Sequence, residues 1–253
     1  MSAQTLGELA ERYFQVTMDA APFDATTYGV GGWDAEVPDL SEAGEAETDR
    51  RLADLQRRVA TIDPAGLDPQ DRVTLAMLER GLADRRAELA ARWPELTVSA
   101  TMSGIQTAVL GLVPKVTLAT PEAAADYTER CARLAGCLDQ AGDRLRAGLA
   151  GGRTPPALGV RAAILQLDTY LAGPVADDPL LQPPPPPGMD ADGFRDRLAG
   201  IVAESVRPAM ARYRDLLAGQ RITLQRIFER VRRVELELGV PPSHYEPGGR
   251  ATG

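Results

Sequence analysis

His244 is the only histidine in this chain, and it stands in a Pro- and Gly-rich terminus beside Tyr245 and Glu246. A hydrolytic zinc centre takes about three protein ligands, most often two of them histidines from a helical His-Glu-x-x-His run, and leaves one position for water. One imidazole cannot supply that set. Ser-His-Asp and Cys-His arrangements would each have to recruit the same residue as base. His244 could act as a lone ligand or base; in such a terminus the plainer reading is an exposed, inert side chain.

The other reactive residue types are weaker still. Cys131 and Cys137 lie six apart on a predicted helix, which separates them by about 9 Å along the axis and points them to different sides. They cannot pair, and buried free thiols in a reducing cytoplasm are expected. Glu42, Glu45, Glu47 and Asp49 cluster at a predicted helix start. They could hold a metal, but carboxylates there favour the helix dipole and usually form a solvated face. Asp177-Asp178, or Asp34 with Glu36, could do acid-base work only if burial raised one pKa; beside prolines they are expected to be exposed. Gly29-Val30-Gly31-Gly32 follows no strand, so it lacks the context of a phosphate loop. Pro183 to Pro187 favour a polyproline helix that could dock into an aromatic groove of another protein, although a stiff connector needs no partner and is preferred.

The elements that would position these residues are helical by pattern. Leu6, Leu9, Tyr13 and Val16 mark a helix over about 5–20, with Thr5 and Glu8 spaced as a capping box. An irregular connection follows from Pro22 to Leu40. Leu52, Leu55, Val59 and Ile62 mark the next helix. Asp68-Pro69 then opens a third, with Leu75, Leu78, Leu82, Leu89 and Trp93 on its inner face. A short helix between loops is predicted within 95–118. Thr120-Pro121-Glu122 opens a long helix whose stripe runs from Tyr127 through Cys131, Leu134, Leu138, Ala141 and Leu145 to Leu149. Gly151-Gly152 ends it, and Pro155-Pro156 starts another with Val160, Ile164, Leu167 and Leu171. The helix over 190–218 contains Pro208, which predicts a kink. No alternating strand and no internal repeat is present.

Composition excludes several classes. The chain has 253 residues, 44% hydrophobic and 25% charged, enough for one large domain or two small ones. Its net charge of -8 opposes a general affinity for nucleic acid or anionic membrane and favours solubility. All but one of the 28 Lys and Arg residues are arginine, Lys115 being the exception; this bias fits a GC-rich coding sequence better than selection for guanidinium chemistry. No signal-like start and no window near the roughly 20 apolar residues of a membrane span is visible, so a cytoplasmic location is expected.

Several local patterns occur in a telling order. Pro22, Ala25-Thr26, Gly29, Trp33-Asp34 and Pro38-Asp39-Leu40-Ser41 come first, then Ile62-Asp63-Pro64 and Leu67-Asp68-Pro69-Gln70-Asp71. Thr120-Pro121-Glu122 with Tyr127, Gly148 to Gly152 with Arg153, Pro155-Pro156, Val160 and Gln166-Leu167 follow. Pro179-Leu180-Leu181 and Val206-Arg207-Pro208-Ala209 complete the series. In this order they resemble the bacterial domain of unknown function family numbered 885, over residues 1 to about 219. The resemblance implies an all-α, irregular multi-helix bundle similar to the amino-terminal half of gluzincin-like zinc metallopeptidases, whose helices surround a substrate channel and whose metal run, His-Glu-Gly followed by Gly-His, lies in a second half.

This chain has no such run, so no catalytic, cofactor-binding or metal-ligand residue is carried over and no cofactor is expected. Past Gly219 the pattern changes. Residues 220–253 read as a divergent amphipathic helix, with Leu224, Ile227, Phe228, Val231, Val234 and Leu238 on one stripe, and a disordered tail. The basic face of that helix could meet a membrane or a partner's groove, but closing its own core is the preferred reading. Three functions follow as expectations. One is a non-catalytic module, derived from a metallopeptidase front half, that binds a peptide or a partner protein. Another is the channel part of a zinc peptidase whose catalytic half comes from a separate chain. The last is a truncated or frame-altered product. Exposed apolar surface would also favour a homodimer.

Overall fold

The computed structural model describes residues 3–101 and 103–238, from 220 onward chiefly as backbone. Among these residues the regular structure is all helical. The helices are α1 (Ala3–Ala20), α2 (Pro22–Thr27), α3 (Glu42–Val59), α4 (Pro69–Ala90), α5 (Ile105–Gly111), α6 (Pro121–Ala150), α7 (Ala157–Ala172), α8 (Ala191–Ile201) and α9 (Arg207–Leu238). Short oxygen-bearing side chains start several of them. Ser41, Asp68, Thr120 and Asp190 accept the amides of Gly44, Asp71, Ala123 and Gly193 at 2.8–3.2 Å, each satisfying a donor that has no partner within the helix. The capping box expected at Thr5 and Glu8 does not form, because α1 already begins at Ala3. The connection after Pro22 also departs from expectation by opening with α2, which buries Phe23 and Ala25.

Among the described residues two hydrophobic cores result. In the first, Leu6, Leu9 and Val16 of α1 meet Leu52, Leu55 and Val59 of α3 and Leu75, Leu78 and Leu82 of α4. In the second, the predicted stripe of α6 lies against α5, α8 and α9, and α7 packs on α9. Cys131 belongs to this core, and both Cys131 and Cys137 are free, buried thiols. Burial pushes both up to about 12, so neither provides thiolate near neutrality. At pH 8 an aromatic disulfide reagent should therefore label neither cysteine until denaturant is added. Rapid labelling of the folded protein would contradict this burial.

Three further differences have local causes. Trp93, expected on the inner face of α4, is 56% exposed. Arg92 takes a left-handed φ of 53°, alone among the described non-glycine residues, which ends α4 and turns Trp93 outward; a side chain in that region costs about 1 kcal/mol. The kink expected at Pro208 takes the form of a π-helical turn over Val202–Val206, where Arg207 donates its amide five residues back to Val202. Pro208 has no amide for Glu204, and its ring crowds that carbonyl, so a wider turn relieves both conflicts. Pro183 and Pro186 are buried while Pro184 and Pro187 are exposed. This is the three-residue period of a polyproline helix lying on its own protein.

A charged cluster links the two cores. Glu95, fully buried in a 3-10 turn over Trp93–Glu95, pairs with Arg92 and Arg153 and lies 3.3 Å from Arg144 of α6. Arg144, itself buried, also pairs with Glu45, and Arg92 with Glu42. Thus two carboxylates expected on a solvated face of α3 are ion-pair partners of residues from other elements. Three guanidiniums meet three carboxylates, so the cluster is neutral as a whole, as burial of charge requires. Gly148 of α6 makes room for it: a Cβ there would lie 2.8 Å from Cβ of Glu95.

Gly219, where the divergent segment was expected to begin, falls inside α9, which continues unbroken to Leu238. Leu238 is 71% exposed, unlike a core position. The side chains of Leu224, Ile227, Phe228, Val231 and Val234, and the tail with His244, lie outside the described residues.

Candidate functional site

A largely apolar groove of about 630 Å³ runs along the outer side of α7. Ala162 and Leu165 of α7 line it together with Ala100 and Leu110. Leu165 is 69% exposed, and Leu158, seven residues and nearly two turns earlier on the same face, is 73% exposed. Two contacts set the width of the groove. Gln166 accepts from Nε2 of the buried Gln106 at 3.1 Å and from the Thr107 hydroxyl at 3.1 Å, which ties α5 to α7. Gly159 lets the backbone at Val98 approach α7, since a Cβ there would lie 2.1 Å from the Val98 carbonyl oxygen.

One end of the groove is polar and buried. Asp178, expected to be exposed like Asp177, is only 2% exposed. Its Oδ1 accepts the Leu180 amide at 3.1 Å, capping a 3-10 turn, and its Oδ2 accepts the Tyr170 hydroxyl at 2.6 Å. Arg207 stands 3.5 Å from Oδ2, with its guanidinium 4.9 Å from the Tyr170 ring centre. The same guanidinium donates to the carbonyls of Leu171 and Gly173 at 2.7 Å, placing a cation at the negative end of α7. Burial and the bond to Asp178 raise the Tyr170 pKa, so the hydroxyl stays a proton donor at neutral pH. These groups saturate one another. They fix the end of the groove.

Among the described residues the donors of a catalytic zinc do not come together. The sequence contains one histidine, and among the described residues no group of three His, Cys, Asp or Glu side chains converges. Asp34 is half-buried and Glu36 exposed, with Asp34 accepting from the Thr26 hydroxyl at 2.9 Å and Glu36 paired to Arg133.

Sequence reasoning passed over Glu95, Arg144 and Arg130. A signal was present for the arginines: Arg130 follows Tyr127 by three residues, and Arg144 follows Ala141 by three, so both occupy buried positions of the α6 stripe. A charged residue on a core stripe implies a buried partner or ligand. For Glu95, in irregular chain, no periodicity gave a signal.

The sequence model of a family described as "Bacterial protein of unknown function (DUF885)" matches residues 22–251. That match runs past Gly219, where the resemblance read from local patterns stops. No curated protein matches. A crystal structure of a protein from Colwellia psychrerythraea, named as a lipoprotein, superposes with a TM-score of 0.70 at 14% identity, over 85% of this chain and 41% of that one. At this identity the likeness is one of fold. This chain spans less than half the length of that protein.

Proposed function

We propose that this chain, which belongs to the DUF885 family, is a non-catalytic helical module that binds an apolar segment of a peptide or partner polypeptide along α7. The observation that carries the reading is the groove itself, lined by the exposed Leu165 beside a rigid polar end, with the exposed Leu158 on the same helix face outside it. Apolar side chains grouped in a preformed concavity lose water on contact with a partner, whereas scattered surface leucines need no partner. Residues fixed by Gln166 and Asp178 also keep the groove open, which lowers the ordering cost of binding.

A fluorescent library of mixed peptides, screened against the full chain, tests this. Peptides with apolar residues in helical or alternating spacing are expected to bind, and Leu165→Glu to weaken them about tenfold or more. Equal binding by Leu165→Glu would rule out the groove. Light scattering at high concentration separates the other occupant this face would accept, a second copy of the chain.

The matched solved chain favours a second reading, since more than half of its length has no counterpart here. In that reading α7 faces a further half of a metallopeptidase-like assembly supplied by another polypeptide. Metal content by mass spectrometry, with hydrolysis of the same library, distinguishes the two. Stoichiometric zinc and chelator-sensitive cleavage by this chain alone would sink the non-catalytic reading; cleavage only after co-expression with a histidine-bearing family member would favour the second.

A further inference from the structure

Arg130 of α6 is 1% exposed, yet every group it bonds is neutral. Its Nη2 donates to the Thr26 hydroxyl at 2.8 Å and to the Trp33 carbonyl, with the Pro22 carbonyl at 3.5 Å, and its guanidinium lies 5.5 Å from the Phe23 ring centre. Its Nε is buried without a protein partner. The other buried arginine of α6, Arg144, has two carboxylates, and Arg207 has Asp178. Among the described residues Arg130 has none within 4 Å. Its compensating charge comes only through space, from Asp34 above all, which accepts from the same Thr26 hydroxyl, so the buried guanidinium lacks a directly bonded carboxylate.

The same residue lines a cavity of about 370 Å³ between the Gly29–Gly31 turn and the first turns of α6. Lys115, the only lysine of the chain, also lines it, exposed and likewise without a carboxylate within 4 Å among the described residues. Thus two cations that no carboxylate contacts directly line one cavity in a protein whose net charge is -8. Asp34 also lines it. Its negative charge opposes a multiply charged anion, while an oxygen of its carboxylate can accept from a hydroxyl or ammonium group on a bound molecule.

We infer that this cavity binds a small monocarboxylate carrying an adjacent hydrogen-bond donor, a hydroxy acid or an amino acid. Lys115 and Arg130 receive the carboxylate, and Asp34 receives the donor. Charge-assisted bonds of this kind are stronger than neutral ones, and the volume suits a molecule of several heavy atoms. Burial lowers the Arg130 pKa, an added reason for a bound anion to be favourable there. The site shares no lining residue with the α7 groove and stands independently of the function proposed for it.

Calorimetric titration of the full chain with glycolate, glycine, acetate and inorganic phosphate at constant ionic strength tests the inference. Glycolate or glycine should bind saturably and more tightly than acetate, with phosphate weakest; which of the two binds identifies the donor. Lys115→Gln, at an exposed position, should leave the melting temperature unchanged and weaken binding about tenfold. Asp34→Asn should erase the preference over acetate. The inference is overturned if none of the carboxylates saturates, if phosphate binds best, or if Lys115→Gln binds as the parent does.

Discussion

Glu95→Ala should lower stability by about 3–5 kcal/mol, because it removes one partner of a buried ion cluster and leaves Arg144 facing an excess of positive charge. In a chain of this size that corresponds to a fall in melting temperature of roughly 10 °C. The substitution also leaves space beside Gly148, where Glu95 now packs. Glu95→Gln keeps the shape but not the charge and should cost less. Arg153→Gln removes a side chain that is 38% exposed, and solvent screening limits its effect to about 1 kcal/mol or below. If thermal denaturation places all three variants within a degree of the parent, the cluster does not hold the two cores together.

The cluster also gives stability a defined acid limb. Burial acts to raise the Glu95 carboxyl, but the hydrogen bonds and charges of Arg92 and Arg153 outweigh it and hold the pKa below the ordinary 4.5. A depressed carboxyl contributes its full stabilisation above the unfolded value and loses it as pH falls through the folded one. Urea unfolding of the parent should therefore steepen its pH dependence below about pH 4.5. In Glu95→Gln this contribution is absent at every pH, so the same limb should be shallower. Parallel curves for the two proteins would contradict the assignment.

Asp178→Ala should cost about 2–3 kcal/mol and loosen the polar end of the α7 groove. It removes the cap of the turn over Pro179–Leu181, leaves the Tyr170 hydroxyl without its acceptor, and withdraws the counter-charge from Arg207. Arg207 keeps the carbonyls of Leu171 and Gly173, which limits the loss. Tyr170→Phe deletes only the hydroxyl and should cost about 1 kcal/mol, since the donor and its bond disappear together. Limited proteolysis gives a second readout: cleavage within 173–189 should accelerate in Asp178→Ala and not in Tyr170→Phe. Equal protection in both would place the rigidity of this segment elsewhere, in the packing of Pro183 and Pro186.

Helix identity, most helix starts and the main core stripe were legible in the sequence. Backbone periodicity and caps are local: Asp68-Pro69 or Thr120-Pro121-Glu122 carries its instruction within four residues, and the leucines of α6 repeat at the spacing that one helix face imposes. The all-α class and the family could be read in the same way, from short patterns in order. The partners of charged side chains could not. Glu95 meets Arg144 across 49 positions, and Glu45 meets it across 99. Asp178 looks like an exposed loop aspartate until the end of α7 and the start of α9 close over it.

The α7 groove and the carboxylate cavity belong to the same category. Leu158 and Leu165 are apolar in a helix that is apolar on several faces, so the sequence alone cannot say which face remains uncovered. Lys115 and Arg130 become neighbours of one cavity only through the packing of the chain before α6 against the turn after α2. Local chemistry determined where the helices are. Which surfaces they leave open, and which cations they leave without a directly bonded carboxylate, depends on contacts between residues distant in sequence, and these exist only after the helices have packed.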